Sequence, residues 1–404
     1  MNRYYSLFVL GVLAAASAQA TEFTTIYGFA GGGANPGGAP ILGKDGAFYG
    51  VTPNSGAAYF GAVYRLVPPT TPGTLGTGSV VYSFAGGADG QAPIGTLLAD
   101  SKGDLFGITF SGGSAGAGTV FELSPPSTPG GAWTKATLYQ FTDGADGGFP
   151  KGGLTACGKL ICGTTGGDYN IPGSYGTVFA LTPPGKTHPA WALSTIYSFG
   201  GGADGGAPTA RLLLGKGGTL YGTASGYLGG TGNVFSLTPP AAKGGAWTHA
   251  VLHDFYFGSD GFTPLGGLVS KGGVLYGTTV GGGANGGGSV FQLTPPAGGA
   301  TAWSEVLLAS LPASAAPEGT PAFGPGGLLY ITTSGAGANG FGSVLSLKSP
   351  KGGAAPWTVS AVHDFAGGAD GEMPVGGFTA TGGTLYGTTT GGNDTAGTVF
   401  TITK

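Results

Sequence analysis

A five-residue segment recurs seven times along this chain, and its spacing limits the folds available more than any other feature. The copies are Phe48-Tyr49-Gly50-Val51-Thr52, Leu105-Phe106-Gly107-Ile108-Thr109, Ile161-Cys162-Gly163-Thr164-Thr165, Leu220-Tyr221-Gly222-Thr223-Ala224, Leu275-Tyr276-Gly277-Thr278-Thr279, Leu329-Tyr330-Ile331-Thr332-Thr333 and Leu385-Tyr386-Gly387-Thr388-Thr389. Their central residues are 57, 56, 59, 55, 54 and 56 positions apart. A period of this size signals a solenoid, a propeller or another repeat array. Seven such units fill residues 21–404 as one domain and leave no room for a second.

Three further segments keep step with the first. A V-F-x-L segment follows each copy, from Val63–Leu66 to Val399–Ile402, and most are closed by Pro, which cannot donate to a strand ladder. Next comes a longer alternating stretch. Trp133, Trp191, Trp247 and Trp357 lead to Phe141, Phe199, Phe255 and Phe365, and Trp303 leads to Leu311. The fourth element is an Asp-Gly turn, a Pro and a short apolar run. Each unit thus reads as four strands of three to nine residues between Gly and Pro turns. No stretch sustains a 3.6-residue apolar period, so essentially no helix is expected. Four strands in about 56 residues predict an all-β, seven-bladed β-propeller. A parallel β-helix is the rival, but its rungs are shorter and its turns more uniform. Phe23–Phe29 is a Trp-less copy of the long strand, so it is expected to complete the last blade and close the ring.

Composition agrees with this reading. Gly supplies 90 of 404 residues without a three-residue period, which excludes collagen. Hydrophobic residues make up 41%, which excludes a disordered Gly-rich linker. A net charge of −3 with only 8% charged residues argues against nucleic acid as a partner. Arg3, the apolar run Leu7–Ala16 and Ala18-Gln19-Ala20 read as a secretory signal peptide over residues 1–20. The mature chain is therefore expected to be secreted or periplasmic, monomeric and without a transmembrane segment. In an oxidising compartment the two cysteines, Cys157 and Cys162, would form a local disulfide, with two buried thiols as the alternative.

The recurring L-Y-G-T-T, the Gly-rich loop after it, the G-T-V-F-x-L-T-P that follows and the D-G-x-x-P turn resemble the GloVer tandem-repeat family. Those are exported bacterial proteins named for Gloeobacter and Verrucomicrobia. The resemblance implies a propeller-like secreted repeat protein and brings no activity or site residues with it. It differs from members with a C-terminal surface anchor, since the last repeat runs to Lys404.

The repeat order puts the Gly-rich loops and the Asp-Gly turns on one face of the disc. Asp89, Asp146, Asp204, Asp260 and Asp370, with Glu318 as a sixth and Pro36 in register in the first unit, could form an acidic ring holding a cation such as calcium. The other reading is that Asp-Gly is a turn pair, with Asp bonding backbone N–H groups. The spacing is not that of a repeat calcium loop, and no cofactor is predicted. The Gly-rich loops differ in their aromatics, with Tyr59, Phe60, Phe110, Tyr169, Tyr175, Tyr227 and Phe341, beside Asn285, Asn393 and Asp394. Tyr169, Tyr175, Tyr227, Phe341, Asp146 and Asp204 are the candidate binding residues for a cell-surface glycan or an envelope protein. The alternatives are that these rings only fill space, or that the loop acids serve a hydrolase or lyase acting on polysaccharide or lactone. Three glycine-rich or serine motifs are set aside. Gly281-x-Gly283-x-x-Gly286 and Gly335-x-Gly337-x-x-Gly340 lead into strands, and Gly112-x-Ser114-x-Gly116 lacks the helix a nucleophile elbow needs.

Overall fold

The computed structural model describes residues 21–404 except 30–33, 72, 129, 168–172, 187, 227–229, 243, 299–301 and 392–395. It contains seven four-stranded antiparallel sheets, one for each repeat. Blade 1 is Ile41–Leu42, Phe48–Thr52, Ala62–Val67 and Thr77–Ser83, paired in that order from the channel outward. Blades 2 to 6 follow in sequence. Blade 7 is Phe378–Thr381, Thr384–Thr389 and Thr398–Thr403, completed on the outside by Glu22–Gly28. The sequence expectation of a ring closed by the N-terminal strand is met. Among the described residues the helical content is four three-residue 3-10 turns, and three inner strands have only two residues, one below the expected minimum.

The core is not central. It consists of seven clusters, each shared by two neighbouring blades: Phe84 and Phe121 between blades 1 and 2, for example, and Ile26, Phe48 and Val399 between blades 7 and 1. The second and third strands of each blade are therefore buried on both faces, which is why they read as continuous apolar runs. The outer strands, exposed on one side, alternate.

The five-residue repeat can now be explained residue by residue. Its Leu is core. Its aromatic residue meets the Trp of the next blade, as in Tyr49–Trp133 at 5.5 Å, Phe106–Trp191 at 6.1 Å and Tyr221–Trp303 at 5.9 Å. Trp thus bridges two blades. The Gly clears space for the Phe of V-F-x-L on the paired strand: a Cβ at Gly277 would fall on the Phe291 ring, its register partner. Blade 6 carries Ile331 there, and opposite it stands the smaller Leu345. The first Thr hydroxyl donates to the inner segment of the next blade, as Thr223 does to the Gly266 carbonyl at 3.0 Å. The second Thr pairs with a hydroxyl across the strand, as in Thr279 and Ser289 at 2.8 Å.

Blades are joined by a second repeated device. The residues before Pro36, Pro93, Pro150, Pro208, Pro264, Pro317 and Pro374 all have left-handed backbone, with φ of 44° to 58°. Each gives its N–H to a carbonyl in the Gly-rich loop of the preceding blade, as Thr263 does to Thr231 at 2.7 Å. The Pro ring then covers the last glycine of that loop. Gly232, with φ 86°, is one example, and a Cβ there would lie 2.6 Å from Pro264 Cδ. The Pro register corrects the sequence alignment. Asp stands four residues before Pro in five joints, whereas Glu318 directly follows Pro317, and Pro36 matches the other prolines and not the Asp.

The Gly277–Phe291 fit predicts that Gly277→Ile will cost several kcal/mol through overpacking, on the order of 3. Adding Phe291→Leu, the pairing found in blade 6, should restore more than half of that loss in thermal or denaturant unfolding.

Candidate functional site

The turn carboxylates are held by their own blades. Asp146 accepts the Tyr139 hydroxyl at 3.0 Å and the Thr142 N–H at 2.9 Å, and Asp204 accepts the Tyr197 hydroxyl at 2.9 Å and the Gly200 N–H at 2.7 Å. Asp89 and Asp370 are held in the same way, by Tyr82 and the Ala85 N–H and by His363 and the Ala366 N–H. Burial works to raise the Asp146 pKa, but hydrogen bonds from Thr142 and Tyr139 outweigh it and hold the carboxyl below its ordinary range. Burial and the Asp146 charge push the Tyr139 hydroxyl up to about 12. Asp146 and Asp204 therefore sit in separate joints, and among the described residues no three His, Cys, Asp or Glu side chains are grouped to hold an ion.

Tyr175 and Phe341, like Phe60, stand just before the glycine that each Pro covers. Their rings lie over Gly201, Gly367 and Gly86 in the turn of the same blade. Phe341 remains 38% and Phe60 40% exposed, so they close the turn while keeping one side open. Tyr169, Tyr227, Asn393 and Asp394 fall outside the described residues. Two exposed rings were not singled out from the sequence, Tyr256 at 68% and Phe257 at 69%. They replace the small residues of the other turns, such as Ala85-Gly86 and Gly200-Gly201.

Two cavities stand out. The first is the central channel, about 450 Å³, reached by the inner segments of all seven blades and carrying Lys151, Arg211 and Glu318. The second, about 870 Å³, lies between blades 1 and 2 on the opposite face from the Gly-rich loops. It is built from the hairpins 43–45 and 99–103 and the Pro125–Trp133 connection. In it Arg65 gives Nε and Nη2 to one oxygen of Asp45, at 2.9 and 2.7 Å, and Tyr49 Oη donates to the same oxygen at 3.0 Å. Burial would raise the Asp45 pKa, but Arg65, Tyr49 and the Ala47 N–H together lower it. Burial and Asp45 push the Tyr49 hydroxyl up to about 12. Trp133 packs on Tyr49 and lines the same groove. The signal for this site was in the repeats. At the x of V-F-x-L only blade 1 has Arg65, against Glu122, Ala180, Ser236, Gln292, Ser346 and Thr401.

The model of the Gloeobacter/Verrucomicrobia repeat matches residues 8–172 and 158–307. The chain belongs to that family. No curated protein matches it. In this repeat protein the two cysteines are disulfide-bonded, Cys162 standing at the position of the repeat's aromatic residue and Cys157 on the inner strand beside it. Trp247 packs on the cluster that contains them. No helix among the described residues is long and apolar enough to cross a membrane.

One joint between repeats departs electrostatically from its counterparts. Between blades 1 and 2, the buried Lys135 amine reaches Asp89 Oδ1 at 2.8 Å. Between blades 4 and 5 the matching residue is Glu305, near enough to feel the Asp260 charge. His253 Nε2 is 3.6 Å from Asp260, and among the described residues neither it nor buried Glu305 Oε1 has a hydrogen-bond partner. Burial, then the Asp260 charge, pushes Glu305 up to about 7. Burial lowers His253 against the opposing pull of Asp260 and Asp254. The raised Glu305 pKa means that the fold tolerates it protonated below pH 4–5 and loses stability as pH rises through about 7. Glu305→Gln should leave Tm unchanged at pH 4.5 and raise it by about 1–2.5 °C at pH 8.5. This corresponds to roughly 1–2 kcal/mol after discounting for solvent screening.

Proposed function

We propose that this propeller is an exported binding module that holds carbohydrate in the groove between blades 1 and 2. The observation carrying this reading is the juxtaposition of Trp133 and Tyr49 with the Asp45–Arg65 pair in an open cavity. A sugar ring offers apolar C–H faces to an aromatic side chain and hydroxyls around its edge. A fixed carboxylate that accepts, beside a planar guanidinium that donates, suits such an edge, and placed polar groups in a partly apolar cavity give orientation. Because Asp45 and Arg65 hold each other, they need little ordering when a ligand arrives. The groove is not repeated around the ring in sequence, as an asymmetric ligand requires. Export is supported by the signal-like residues 1–20 and by the disulfide, which persists in oxidising compartments. A catalytic role for Asp146 and Asp204 draws no support from their geometry, since hydroxyl and backbone donors from their own turns already occupy them.

The test is an oligosaccharide screen with the mature chain, covering neutral and acidic cell-surface glycans, followed by titration of the best binder. Arg65→Ala and Asp45→Asn should each weaken binding at least about tenfold. Absence of any binder, or unchanged affinity in both variants, would contradict the assignment.

A further inference from the structure

The channel carries a second, separate site. Aligned on the seven prolines, its lining is built almost entirely of small or uncharged residues. Directly after Pro stand Gly37, Ile94, Lys151, Thr209, Leu265, Glu318 and Val375. Two positions later stand Ala39, Thr96, Gly153, Arg211, Gly267, Thr320 and Gly377. Arg211 is thus the one charge at its level of the ring. Arg211 is half-buried, burial lowers its pKa, and its only hydrogen bond among the described residues runs from Nε to Thr155 Oγ1 at a long 3.4 Å. It forms no ion pair there, and Glu318 is instead an acceptor for the Ser334 hydroxyl at 2.9 Å. Lys151 adds a second positive charge to the lining, its ammonium 5.5 Å from the Phe110 ring centre.

A guanidinium that has lost part of its water is ordinarily paired, because the fold otherwise gains nothing to offset that loss. Here the space beside it is a cavity of about 450 Å³, with Thr155, Thr209, Thr320 and Thr379 among its walls. The mouth is open to solvent-borne ions. Guanidinium geometry matches two oxygens of one planar or tetrahedral oxyanion, and the hydroxyls of Thr209, Thr320 and Thr379 can donate to the rest, that of Thr155 being given to the Leu212 carbonyl at 2.6 Å. We propose that the channel binds a small oxyanion, a carboxylate, phosphate or sulfate group, on Arg211. This site is distinct from the groove between blades 1 and 2 and stands whether or not that groove binds sugar.

The chain has three arginines, Arg3, Arg65 and Arg211, of which the mature part keeps two, so arginine-directed chemistry can separate the two sites. Mature protein would be treated with phenylglyoxal at constant ionic strength in chloride, acetate, phosphate or sulfate, and adducts at Arg65 and Arg211 counted by mass spectrometry. At least one oxyanion should slow modification of Arg211 fivefold or more relative to chloride while leaving Arg65 unchanged. The same anion should raise Tm saturably in the native chain and not in Arg211→Gln. Equal labelling of Arg211 in chloride and in all three oxyanions, or equal slowing at both arginines, would overturn the proposal even if Arg211→Gln did not fold.

Discussion

The contact between a proline of one blade and the closing glycine of the loop before it is the constraint from which the rest of this ring follows. At Gly232, three things meet: its left-handed backbone turns the chain into the third strand, Pro264 of the next blade lies on its Cα, and its carbonyl accepts the Phe255 N–H of the outer strand at 3.0 Å. A side chain would displace the proline. The residue before that proline is itself held in left-handed backbone, which costs on the order of 1 kcal/mol for a residue such as Thr263. Its N–H bond to the preceding loop offsets that cost, so strain and hydrogen bond belong to the same joint. Gly397 and Pro36 make this joint between the last blade and the first. The ring therefore closes with the same joint that links its other blades.

Such economy leaves few positions for function. A residue that builds the joints cannot also discriminate one ligand, and the Asp-Gly carboxylates show this: Asp89, Asp146, Asp204 and Asp370 each accept from the turn and the outer strand of their own blade. Chemistry falls to residues that break the pattern. Arg65 and Asp45 break it at one groove, Arg211 at one level of the channel, and Glu305 at one joint.

Most of the architecture was legible in the amino-acid order because each repeat position has one physical job. The Gly of L-Y-G-T-T recurs because a Phe ring needs its space, and the single exception, Ile331, is matched by Leu345. The strand count, blade order and closure by residues 22–28 could be read for that reason. The candidate site was much less legible. Tyr175 and Phe341 were conspicuous as aromatics in variable loops, but their register before the covered glycine makes them lids on a turn. Glu318 was misplaced because Asp and Glu were aligned by charge, when the proline is what fixes the register. Arg65 and Asp45 are 20 residues apart, Arg65 on the third strand and Asp45 in the turn before the second, and the pairing of Tyr49 with Arg65 brings them together. Trp133 comes from the next repeat altogether, and nothing local in sequence announces that it leans across a blade boundary.

The account rests on the closing joint being equivalent to the internal ones, and native-state hydrogen exchange reads that directly. The Phe29 N–H donates to the Gly397 carbonyl at 3.0 Å, as the Phe141, Phe255 and Phe365 amides donate to Gly118, Gly232 and Gly342 at the same distance. All four amides should exchange only through the same cooperative opening, with Phe29 protected to within about tenfold of the others. Exchange of Phe29 at the rate of an unstructured chain, with the other three protected, would show an open ring and contradict the account.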